Sequence, residues 1–158
     1  MFPIKYIFAL VTLSVVGAIA ETHSVVFVNK CGRGTPMLIQ GSQMLSTGAE
    51  FTSNGPLTNA IAYLQGGNCG FAGEGCTVVQ TTLKNPTSPG DGSLTAISLI
   101  LPNSFSVATG FGYFNGCDGA GADCTNAECR LPFLNPNITT LQVPCQSNNV
   151  NLAITFCD

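Results

Sequence analysis

Val150-Asn151-Leu152-Ala153-Ile154-Thr155-Phe156 decides the fold class, because Val150, Leu152, Ile154 and Phe156 alternate with Asn151, Ala153 and Thr155. Successive side chains of a strand point to opposite faces, so this period of two puts the four larger apolar groups on one face. Such a face has to be buried against another layer. Upstream, Ser24-Val25-Val26-Phe27-Val28 is an apolar, β-branched run suited to a strand buried on both faces, and Gly32 and Gly34 end it. Residues 37–40 form a second short strand. Residues 60–64 form a third, ambiguous with one helical turn, between the turn-forming Asn54-Gly55-Pro56 and Gly66-Gly67-Asn68. Residues 78–83 suit a strand, while Asn85-Pro86-Thr87-Ser88-Pro89-Gly90-Asp91-Gly92 is loop material. The strand pattern resumes over 94–100, turns at Pro102-Asn103 into Phe105-Ser106-Val107, and continues through Phe111-Gly112-Tyr113-Phe114. A cysteine-rich loop fills 116–129, and residues 139–143 form the penultimate strand. No long amphipathic helix is encoded, so the economical architecture is all-β: two antiparallel sheets packed face to face as a sandwich.

The amino terminus is of another kind. Lys5 precedes an apolar run over residues 7–16, and Ala18-Ile19-Ala20 follows with small residues at both cleavage-site positions. This is the pattern of a secretory signal peptide over residues 1–20, leaving residues 21–158 as a single domain. The run is too short to span a bilayer with confidence in its flanks, so no stable membrane insertion is expected after cleavage.

Eight cysteines, Cys31, Cys69, Cys76, Cys117, Cys124, Cys129, Cys145 and Cys157, all lie beyond residue 20. In an oxidising compartment an even set of this kind implies four disulfides, whose connectivity counting cannot supply. Metal binding through thiolates would need them reduced, and His23 is the only histidine available to complete a site, so no metal and no cofactor are expected. Five Lys and Arg against eight Asp and Glu give a net charge of −3, with no basic stripe to meet phosphates; nucleic acid is not an expected partner.

Few residues suggest catalysis. His23, two residues past the expected cleavage site, falls where fraying is expected and is a poor base. Ser24 and the other serines lack a Gly-x-Ser-x-Gly context and a second histidine. Glu74, between Cys69 and Cys76, suits an exposed loop acid. Asp118 and Asp123, in the loop bounded by Cys117 and Cys124, could cap turns, contact a ligand, bind a cation through oxygen or act as a catalytic pair. Phe105, Phe111, Tyr113 and Phe114 suit sheet packing, and Trp is absent, which weakens any stacking platform for sugars. Tyr113 is the member whose phenol could be half-buried and still reach a sugar. Asp118, Asp123 and Tyr113 are therefore the candidate carbohydrate-binding residues. Asn137-Ile138-Thr139 is the one open N-glycosylation sequon, since Asn85-Pro86-Thr87 is blocked by proline.

Val26-Phe27-Val28-Asn29-Lys30-Cys31, Ala96-Ile97-Ser98-Leu99-Ile100 with Phe105-Ser106-Val107, Val143-Pro144-Cys145 and Leu152-Ala153-Ile154-Thr155-Phe156-Cys157 together resemble the thaumatin-like (osmotin, pathogenesis-related) family. The likeness runs over nearly all of residues 21–158 and is strongest to compact secreted proteins of fungi described as glycopeptides. It implies a β-sandwich with disulfide-closed loops, pairing Cys31 with Cys157, Cys117 with Cys145, Cys69 with Cys76, and Cys124 with Cys129. Larger members carry an acidic cleft linked to β-1,3-glucan binding, weak glucanase activity and antifungal action. Here Gln80 stands at the cleft glutamate, Ala96 at one aspartate, and the other falls near Ser93. Glycoside hydrolysis by the usual route needs two facing carboxyls, which Gln80 and Ala96 cannot provide.

The expectation is thus a secreted, monomeric, non-catalytic protein, extracellular or wall-associated, that binds cell-wall β-glucan or acts as a surface or host-interaction factor. An antifungal or weakly hydrolytic β-1,3-glucan protein and a structural wall protein are the alternatives.

Overall fold

The computed structural model describes residues 20–129, 132–133 and 142–157. The signal-peptide assignment over 1–20, Ala20 excepted, and the Asn137 sequon lie outside these residues. Among them there are twelve strands and no helix: β1 (Thr22–Asn29), β2 (Thr35–Gln40), β3 (Gln43–Ser46), β4 (Phe51–Asn54), β5 (Leu57–Gln65), β6 (Val78–Leu83), β7 (Ser93–Ser98), β8 (Thr109–Phe114), β9 (Gly121–Cys124), β10 (Pro132–Phe133), β11 (Val143–Cys145) and β12 (Asn151–Phe156).

They form a five-stranded sheet, β4-β1-β12-β8-β9, and a seven-stranded sheet, β10-β7-β6-β5-β2-β3, with β11 also on β7. Most pairs are antiparallel, but two are parallel: β1 runs alongside β12, and β10 alongside β7. The expected sandwich of antiparallel sheets is present, and the β1–β12 exception arises because these two strands run in the same direction side by side within one sheet.

The alternation in β12 works as expected, with Leu152, Ile154 and Phe156 fully buried beneath the opposite sheet. They meet Leu38, Leu57, Ala62, Val79, Leu83 and Ile97 in one core between the layers. A smaller apolar cluster, Met37, Ile39, Tyr63, Cys76 and Val78, lies on the other face of the seven-stranded sheet under the Cys69–Cys76 loop. That sheet is therefore covered on both faces at one end. The Tyr63 hydroxyl fastens the loop by donating to the Phe71 carbonyl at 3.0 Å.

Strand β1 corrects one expectation. His23 and Val25 are buried, but the intervening residues are only partly so and Val28 is 43% exposed. The β-branched run specified a strand, yet among the described residues no layer covers the outer face of the five-stranded sheet there. Residues 105–107 lie outside any strand, β3 and β4 were not expected, and β9 forms within the cysteine-rich stretch.

The eight cysteines pair as Cys31–Cys157, Cys69–Cys76, Cys117–Cys145 and Cys124–Cys129, the same four pairs that the resemblance implies. Four disulfides fit a protein of the oxidising extracellular compartment.

Candidate functional site

Where the smaller apolar cluster ends, the outer face of the seven-stranded sheet opens into a groove of about 530 Å3, within the ~300–1,000 Å3 usual for small-ligand clefts. Its floor comes from three adjacent strands. Alternation along β6 sends Val79, Thr81 and Leu83 inward, which leaves exposed Gln80 and half-buried Thr82 on the groove side. Ile61 of β5 is the register partner of Gln80 on one side, and Ala96 of β7 is its partner on the other. Leu94 continues the floor, and Gln142 contributes just before β11.

One end is shaped by a β-bulge. The register of β5 against β6 shifts between Leu57 and Ala60, and Asn59 there adopts φ 52°. Asparagine tolerates this left-handed conformation better than most residues, and bulges commonly re-aim a side chain at a site. Its backbone N–H donates to Thr82 Oγ1 at 3.0 Å, fixing the bulge to the groove.

The wall is the loop that follows β6. Lys84 Nζ donates to Asp91 Oδ1, and Thr87 Oγ1 donates to Asp91 Oδ2 at 2.6 Å. The Lys84 and Thr87 donors hold the Asp91 carboxyl below the usual carboxylate range. Gly92 seats this loop against β11, since an added Cβ there would collide with the Cys145 carbonyl oxygen. Gly90 N–H donates to Gln146 Oε1 at 3.1 Å, a second tie to the same segment.

Chemically the groove presents amides and hydroxyls from Asn59, Gln80, Thr82 and Gln142 over the apolar patches of Ile61, Leu94 and Ala96. Its one lysine and one carboxylate neutralise each other. Gln80 and Ala96 lie side by side in it, and Ser93 is buried beside its wall, its hydroxyl donating to the Lys84 carbonyl at 3.2 Å.

The three candidates for carbohydrate contact lie elsewhere. Tyr113 is 3% exposed, with its hydroxyl 2.8 Å from Thr95 Oγ1 and 2.9 Å from the Val143 carbonyl oxygen, so it is an internal strut and not a half-buried surface phenol. Its position opposite Leu152 turns it into the core. Burial pushes its pKa up to about 12, an effect the hydrogen bond with Thr95 partly offsets. Asp118 is exposed and accepts the Gly116 N–H at 3.1 Å, a turn-capping contact. Asp123 is exposed on β9 with its carboxylate against the Gly110 backbone. None of the three lines the groove.

Two further expectations change. Glu74 is half-buried and accepts the Ala72 N–H at 2.9 Å, so it shapes its own loop. His23 is not frayed: it is fully buried within β1, because the strand is clamped between β4 and β12. No cluster of metal-ligating side chains occurs among the described residues. Reasoning from sequence missed Asn59, Thr82, Lys84, Asp91 and Gln142; the signal available was the Pro- and Gly-rich loop directly after a strand whose outward residues are polar.

No protein-family model matches this chain, and no curated protein matches it.

Proposed function

We propose that this is a secreted, non-catalytic binding protein of thaumatin-like type whose groove over β5, β6 and β7 takes a neutral cell-wall polysaccharide, β-1,3-glucan foremost. The observation that carries this reading is the groove's lining: hydrogen-bonding amides and hydroxyls over small apolar patches, with its two charges cancelled internally. Such a surface matches an uncharged, hydroxyl-rich chain and offers an acidic or phosphorylated one no net counter-charge. Hydrolysis is not part of the reading, because Asp91 is the one carboxylate in the lining and its partners keep it ionised, the wrong state for a general acid. Individual contacts of this kind are weak, and repeated sites on an insoluble polymer supply avidity.

The test is retention of oxidised protein spanning residues 21–158 on insoluble β-1,3-glucan, with chitin and cellulose beside it and released sugar measured in the same tubes. Selective retention without sugar release is expected. Gln80→Ala should weaken it on the order of three- to tenfold, the worth of about one hydrogen bond. Asp118→Ala and Asp123→Ala should leave it unchanged. Failure to be retained on β-1,3-glucan overturns the proposal, and sugar release overturns its non-catalytic part.

A further inference from the structure

His23 is the single histidine of the chain and is completely buried in β1. Both ring nitrogens have partners: Nδ1 lies 2.6 Å from the Val150 carbonyl oxygen, and Nε2 lies 3.0 Å from Glu21 Oε1. A carbonyl oxygen only accepts, so Nδ1 carries a hydrogen. If the ring held no second hydrogen, the Nε2 lone pair would face the carboxyl oxygen directly, and Glu21 would have to supply the proton. Glu21 is badly placed to do so. Partial burial disfavours its ionised form, but the Asn85 N–H and the nearby charge of Lys84 both favour it. The oxygen facing the ring is also the one that accepts the Asn85 N–H at 2.6 Å. The arrangement is that of an imidazolium donating to two acceptors.

The surroundings give this charge one counter-ion. β4 brings Ser53 opposite His23, the turn before β12 brings Asn149 and Val150, and Asn151 donates no charge either. Lys84 acts on Glu21 and is itself paired with Asp91.

We propose that His23 is a pH-sensitive latch between strand β1 and the Lys84–Asp91 wall of the groove, closed while the ring holds both protons and loosened when it loses one. The connection runs through Glu21 to the backbone of Asn85, the residue next to Lys84. Asn85 is further tied to Asn149, whose N–H donates to Asn85 Oδ1 at 2.6 Å and whose Oδ1 accepts from Asn85 Nδ2 at 3.2 Å and from Thr22 N–H at 3.1 Å. Removing a ring proton sets the Nε2 lone pair against the Glu21 carboxylate, which then releases both His23 and Asn85. The effect on binding rests on the groove reading above; the latch itself does not.

The experiment is a pH titration of 15N-labelled, oxidised protein from about pH 5 upward until the ring loses a proton. With one histidine the ring signals need no assignment. Near the acidic end both ring nitrogens should report bound hydrogen. On raising the pH, the ring and the amides of Lys84 and Asn85 should move with one common midpoint, and retention on insoluble β-1,3-glucan should fall several-fold over the same interval. Glu21→Gln should move the midpoint to lower pH while leaving the sandwich folded. A ring with a single hydrogen at pH 5, or an Asn85 amide that does not follow the ring, overturns the latch. Retention that stays constant while the resonances shift together overturns its control of binding. Absence of retention at every pH overturns the groove reading instead, and the resonances then decide the latch alone.

Discussion

Tyr113 shows how one hydroxyl joins the two layers. The Val143 carbonyl only accepts, so the phenol donates to it. Thr95 then gives its own hydrogen to the phenol oxygen, and its oxygen remains open to Thr81 at 2.7 Å. Tyr113→Phe should leave this chain of hydroxyls short of a buried partner and lower unfolding free energy by about 1–3 kcal/mol in urea. Burial raises the pKa of Tyr63 as well, with the Glu74 charge adding to it. Because both folded values lie above the unfolded one, their contribution is complete below pH ~10 and is lost as pH rises beyond it. Phenolate absorbance of the protein spanning 21–158 should therefore rise at higher pH in the folded than in the urea-unfolded protein; coincident curves would contradict this. The spacing of Phe111 and Tyr113 between glycines indicated that they share a face. Which face became clear only from the register with Ile154 and Leu152.

Among the elements, β1 and β12 form the central parallel pair, closed by Cys31–Cys157 across 126 residues of chain, whereas Cys69–Cys76 closes a loop over a separation of 7. In the chain-entropy account the first should contribute about 5 kcal/mol and the second about 2.5 kcal/mol. Replacing Cys31 and Cys157 together by Ala should thus lower the unfolding midpoint far more than replacing Cys69 and Cys76 together, as differential scanning calorimetry can measure; equal losses would show that native-state packing, not chain closure, sets their worth. Long alternating strands such as β6 and β12 were legible because two-residue periodicity survives any context. β3, β4 and β9 were not, since each has four residues, mixed polarity and turns at its ends, so pairing with a neighbour and not its own pattern makes it a strand.

At the scale of the molecule, the groove wall carries the carboxylate of Asp91 and is tied through the Asn85 N–H to that of Glu21, each held below its ordinary pKa by hydrogen-bond donors and Lys84. A lowered folded value means that their stabilisation is present above pH ~4 and is lost as pH falls through the folded values. Urea midpoints should accordingly fall on acidification below pH ~4, with the slope reduced by Glu21→Gln; a midpoint unchanged to pH ~2 would contradict it. The sandwich could be inferred from local patterning, but the groove could not. Its floor joins Ile61, Gln80 and Ala96, remote in sequence and adjacent only through strand order, and the sole pointer to Gln80 and Ala96 was a family resemblance. The same strand order has a mechanical side. Tension applied between Glu21 and Cys157 travels along β1 to Cys31 and crosses the disulfide directly to Cys157. The covalent path bypasses residues 32–156, and β1 is already extended, so tension between these two points is carried by a short inelastic strap of backbone and disulfide.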